Sequence, residues 1–126
     1  MNLLLVGLGG AFGAICRYLL GVQTMRSFGP GYPWGTYAAN VVGGLLMGLL
    51  VGVLAYRGGA DQDKWRLLLG VGVLGGFTTF SSFSLEVVRM LETRNFGQAA
   101  AYVAGSVVLA IGAVFLGLLV ARRAFA

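Results

Sequence analysis

The chain has 126 residues, of which 58% are hydrophobic and 10% charged, with a mean hydropathy of +0.86. A soluble domain of this length is about one quarter charged, so the composition excludes one and indicates an integral membrane protein. Most of the charges behind the net +5 sit between or at the ends of apolar runs, a membrane-flank pattern rather than a nucleic-acid patch. With no His and only Cys16, the chain has no means of building an internal disulfide, a Ser–His–Asp triad or a Cys–His site.

Hydropathy predicts four spans, roughly Leu3–Met25, Trp34–Tyr56, Trp65–Leu91 and Phe96–Ala121, in a single four-span transmembrane domain over residues 1–126. Each meets the ~20 residues that a crossing helix needs. Met1-Asn2 carries no basic residue and the apolar run outlasts a signal-peptide core, so the first segment is read as a permanent span. Gly29-Pro30-Gly31-Tyr32-Pro33 breaks the chain after the first span, and Glu92-Thr93-Arg94-Asn95 makes a tight turn before the last. Arg57, Lys64, Arg66, Arg122 and Arg123 fall on the side of the termini, against Arg26, Arg89 and Arg94 opposite. That bias toward cytoplasmic termini is shallow enough to permit both orientations.

In the first span Gly9, Gly13 and Arg17 recur every fourth residue. Arg17 either snorkels to the interface or gives a vestibule positive potential. In the second span Gly44, Gly48 and Gly52 form a small-xxx-small packing face, with Asn40 one turn earlier and Thr36 one turn earlier again. A carboxamide in hydrocarbon needs partners, so Asn40 is either interhelical glue or a donor facing a pore.

The third span contains Gly75-Gly76-Phe77-Thr78-Thr79-Phe80-Ser81-Ser82-Phe83-Ser84. Two glycines lower helix propensity, and the five hydroxyl residues compete for backbone bonds. A helix break is predicted there, and broken backbone at membrane depth survives only inside protein or along a wet cavity. Restarting near Phe80 places Phe80 and Phe83 on one face and Thr79, Ser82 and Glu86 on another. Such a Phe pair is either core packing or a set of positive ring edges facing a small anion. Glu86, the only acid within a span, pairs with Arg89 or a hydroxyl, or acts as a proton carrier or pore-mouth acceptor. In the last span Tyr102, Ser106, Leu109 and Ala113 share a stripe, and Gly105, Gly112 and Gly117 suggest close packing.

The broken segment, together with Gly13-Ala14-Ile15-Cys16-Arg17-Tyr18, Gly35-Thr36-Tyr37-Ala38-Ala39-Asn40, Tyr102 and Ser106, resembles the Fluc (CrcB) fluoride channels over essentially the whole chain. The resemblance implies an all-α membrane protein of four transmembrane helices with a broken third helix, assembled as an antiparallel dual-topology homodimer. It implies passive export of fluoride across the inner membrane through two pores at the subunit interface. Phe80 and Phe83 would line the pores and Asn40 would contact fluoride, with Thr36, Ser81, Ser82, Tyr102 and Ser106 as associated polar groups. Arg17 would stand at the vestibule, and backbone carbonyls of Gly75 and Thr78 from both subunits would hold a structural Na⁺. Beyond fluoride, the lipid bilayer and a second copy, it implies no partner and no enzymatic activity. The rival reading is a small proton-coupled multidrug or anion exporter. The multidrug form needs an acid in the first span, where the only charge is Arg17.

Overall fold

The computed structural model describes residues 1–29 and 31–125; Pro30 of the first breaker cluster lies outside the described residues. It is all-helical, with four segments long and apolar enough to cross a membrane. The first helix is Asn2–Phe28 and the second Trp34–Arg57. The third span begins earlier than hydropathy predicts, because a 3₁₀ turn at Gly59–Asp61 leads straight into helix at Gln62–Trp65. It continues as a π-helix over Arg66–Leu74 and a last α turn at Gly75–Phe77, then breaks. Helix resumes at Ser81–Glu92, and Phe96–Phe125 forms the last helix.

Glycine decides where the helix ends fall. Gly29 takes φ 76° after the first helix and donates its N–H to the Met25 carbonyl at 2.9 Å. With ψ at −176°, that positive φ is a conformation an L side chain adopts only under strain. The turn before the last helix places Arg94 itself at φ 60°.

Glycine also sets the packing. A Cβ on Gly9 would stand 2.5 Å from the Leu68 carbonyl, so the first helix lies directly against the backbone of the third span. The second helix meets the last in the same way: a Cβ on Gly44 would lie 2.7 Å from the Ala110 carbonyl, and one on Gly52 2.5 Å from the Ala121 methyl. The expected Gly44–Gly48–Gly52 face is therefore the seam between these two helices. In lipid, such seams gain from close van der Waals contact rather than from hydrophobic burial. Gly44→Val is expected to cost about 1–3 kcal/mol, since the carbonyl opposite is not able to rotate away. Denaturant-dependent unfolding of the purified protein in micelles checks it.

The last helix corrects one expectation. Gly112 faces open space and Leu109 is 49% exposed, whereas Tyr102, Ser106, Ala113, Gly117 and Ala121 are buried. The buried stripe advances by 3.6 residues per turn and so drifts off Leu109. Beside the break, Phe83, Met90, Ala99 and Tyr102 make a small core, with Tyr32, Tyr37, Val87 and Val103 packed against it.

Candidate functional site

The break is held open by one side chain. In an unbroken helix the Thr79 N–H would go to the Gly75 carbonyl. Here it donates to Asn40 Oδ1 at 2.9 Å, while Asn40 Nδ2 donates back to the Thr79 carbonyl at 3.0 Å. The carboxamide thus replaces the peptide partner that the chain gives up, which at membrane depth is obligatory. Thr78 is extended at φ −84°, ψ 157°, and its methyl packs on Gly43. The Thr79 hydroxyl then accepts the Ser82 N–H at 3.3 Å as the new helix starts.

A groove of about 560 Å³ runs along this break, and Asn40, Gly75, Thr78, Phe80, Phe83 and Ser106 are among the residues that line it. Phe80 and Phe83 touch, with ring centroids 5.7 Å apart. They differ sharply in burial: Phe83 is 8% exposed and Phe80 is 78% exposed. The Ser106 hydroxyl is buried in the groove wall with no hydrogen-bond partner among the described residues. Asn40, which also lines the groove, spends one of its two N–H bonds on Thr79, so its amide keeps a second donor with no partner among the described residues. An unpaired buried hydroxyl costs free energy, and such sites commonly await a ligand or water.

A second cavity, of about 430 Å³, lies toward the first connector and includes Tyr32, Thr36, Glu86, Arg89 and Gln98 in its lining. Glu86 accepts two hydroxyl bonds there, from Thr36 Oγ1 at 2.6 Å and from Tyr102 OH at 2.9 Å. The hydroxyl pairing expected for Glu86 is present; Arg89 makes no ion pair with it among the described residues, where the one salt bridge is Arg66–Asp63 at 3.9 Å. Thr36 and Asn40 thus belong to different cavities, with Tyr102, fully buried, bonded to Glu86 between the helices. In the connector, burial first and Tyr37 second push the Tyr32 phenol above its ordinary range, so it stays uncharged at neutral pH.

Of the other expected site residues, Ser81 is exposed, with its hydroxyl 3.3 Å from that of Thr79, and Ser82 is half-buried. Neither lines these cavities, and neither does half-buried Arg17, whose Nε is buried without a partner among the described residues. Gly75 has lost its helical donor and Thr78 has left the helix, so the Gly75 and Thr78 carbonyls are oxygen donors of the kind a hard cation such as Na⁺ accepts. Among the described residues no cluster of His, Cys, Asp or Glu forms a side-chain metal site.

Sequence reasoning passed over the aromatic chain that backs the site. Tyr32, Tyr37, Tyr102, Phe83 and Phe80 follow one another in contact, with Trp34 and Phe28 at the outer end. Its signal was the clustering of Tyr32, Trp34 and Tyr37 at the start of the second span, legible there only as interfacial aromatics.

Residues 4–118 match the family model described as "CrcB-like protein, Camphor Resistance (CrcB)". The chain is similar to proteins named "Fluoride-specific ion channel FluC". That of Phenylobacterium zucineum is 68% identical over 98% of each chain. That of Caulobacter vibrioides is 61% identical over 99% of this chain and 98% of its own. That of Agrobacterium fabrum is 51% identical over 99% of both.

Proposed function

Because this chain belongs to the CrcB family, we propose that it is a fluoride-specific ion channel that lets F⁻ leave the cytoplasm passively. The observation that carries the reading is the groove at the break, where the Ser106 hydroxyl, without a partner among the described residues, shares the lining with Asn40 and the Phe80 and Phe83 rings. Fluoride is small and strongly hydrated. A selective path must replace its water with compact donors, which hydroxyls, an amide and the positive edges of aromatic rings supply. Thr36 and Tyr102, both bonded to Glu86, and Ser81 and Ser82 are further polar groups of the path outside the groove itself, and Arg17 adds positive charge toward a vestibule.

One chain encloses only part of such a path, since Phe80 stands 78% exposed at the groove. A second copy, inserted upside down, closes it and makes two equivalent pores in an antiparallel dual-topology homodimer. The shallow charge bias between the two faces is consistent with both orientations. Gly75 and Thr78 carbonyls from both copies would hold a Na⁺, which supplies fixed positive charge near the anion path. The whole is one four-span domain in the inner membrane. Acid outside drives HF inward, HF ionises in the neutral cytoplasm, and the negative-inside potential expels F⁻.

The test is fluoride efflux from liposomes holding the purified protein, driven by a potassium gradient with valinomycin and read by a fluoride electrode. Efflux that follows voltage, excludes chloride and needs no proton gradient is expected. The same assay separates the proton-coupled exporter reading through Glu86→Gln. A channel keeps voltage-driven efflux within about tenfold of the parent, because the Gln carbonyl still accepts one hydroxyl. A transporter that moves its proton on Glu86 loses coupled transport altogether.

A further inference from the structure

We propose that Tyr32, in the connector between the first two helices, is a positioning residue for fluoride passage, acting through Tyr102 on the orientation of Phe83. This rests on the channel reading above.

The connector is fastened to the last helix. Gln98 Nε2 donates to the Gly31 carbonyl at 3.0 Å, and the Trp34 N–H returns to the Tyr32 carbonyl at 2.8 Å. Tyr32 is thereby delivered, ring first, onto the small core beside the break. Its ring meets that of Tyr102 edge to face, at 5.5 Å and 82°. Tyr102 in turn lies 5.0 Å from Phe83, and Phe83 5.7 Å from Phe80. The four rings make a continuous column from the outer cavity to the break.

Ring orientation is what this column transmits. An aromatic ring attracts an anion at its edge and repels it at its face, so a tilt of Phe83 changes the sign of its contribution. Tyr102 is fully buried and is held at its hydroxyl by the hydrogen bond to Glu86 and at its other end by the chain, which leaves the tilt of its ring plane as its remaining freedom. Tyr32 and Tyr37 both pack against the Tyr102 ring, at 5.5 and 5.8 Å, and so limit that freedom. Tyr32 itself borders the outer cavity and not the groove at the break, so it acts without touching the ion there.

The experiment is fluoride efflux from liposomes with Tyr32→Ala, Tyr32→Phe, Tyr32→Leu and Trp34→Ala beside the unaltered protein. Trp34, the first residue of the second helix, packs on Tyr32 and Tyr37 but makes no ring contact with Tyr102, so its loss removes comparable aromatic surface beside the connector. Tyr32→Ala is expected to slow efflux about tenfold, the rate equivalent of losing an edge-to-face pair. Tyr32→Phe keeps the edge and is expected within about twofold of the parent, while Trp34→Ala stays within about threefold. If Tyr32→Ala fails to fold, Tyr32→Leu takes its place: it fills the space without a ring edge and is still expected to slow efflux several-fold. The proposal is overturned if the ring-removing variant runs at the parent rate, if Tyr32→Phe is as slow as Tyr32→Ala, or if Trp34→Ala is equally slow, which would mean a merely structural connector. Absence of fluoride efflux from the unaltered protein would bring down the channel reading itself, and this inference with it.

Discussion

Asn40→Asp is expected to bring fluoride efflux down by at least about 100-fold, to the level of protein-free liposomes. Asn40 does two things that a carboxylate is unable to do together. Its Nδ2 donates to the Thr79 carbonyl, and its second N–H stays available to the ion in our reading of the groove that Asn40 lines. Asp keeps an acceptor for the Thr79 N–H, now bonded to Oδ1 at 2.9 Å, but sets a negative oxygen against the Thr79 carbonyl. That carbonyl is left unsatisfied at membrane depth, a penalty of about 1–3 kcal/mol. A negative charge in the groove also repels the anion. The outcome is read by efflux and by thermal unfolding of the variant: transport should vanish and the melting temperature should fall. Unchanged flux would remove Asn40 from the ion path and leave it as the clamp of the break alone.

Phe80→Ile is the complementary case, with a similar loss of transport and almost no loss of stability. The ring is 78% exposed in the single chain and touches Phe83 at 5.7 Å, so Ile forfeits little packing there. What it forfeits is the positive ring edge, which no aliphatic side chain replaces. Efflux is expected at background, with the assembly state on size-exclusion chromatography unchanged. Normal flux from this variant would reduce the Phe pair to packing. The two substitutions therefore divide the labour: Asn40→Asp disturbs the break and the donor set together, whereas Phe80→Ile removes a donor and leaves the break intact.

Much of this organisation was legible in the chain because it depends on local rules. Span positions follow from apolar run length. The break follows from Gly75-Gly76 and the hydroxyl cluster, and Thr78 does leave the helix there. The second-span glycine face follows from four-residue spacing and does meet the last helix. The errors are equally local. Leu109 and Gly112 were placed by spacing alone, and the true stripe drifts past both because 3.6 residues per turn does not divide evenly into the pattern. The third span starts early because helix continues into the polar connector at Gln62, which hydropathy does not register.

Composition and local propensity are enough to specify a four-span membrane chain, the place where its third helix fails, and the residue types able to meet a small hard anion. Which groups meet depends on how the helices pack. Asn40 and Thr79 are 39 positions apart, Thr36 and Glu86 are 50, and Tyr102 and Glu86 are 16. Their pairing depends on how closely the glycine seams let the helices approach. The same packing makes Phe83 a core residue and Phe80 an exposed one, and it leaves the Ser106 hydroxyl without a partner among the described residues. Hydropathy and propensity act within a few residues of chain. Hydrogen-bond satisfaction inside a membrane is settled between helices, where no water stands in for a missing partner.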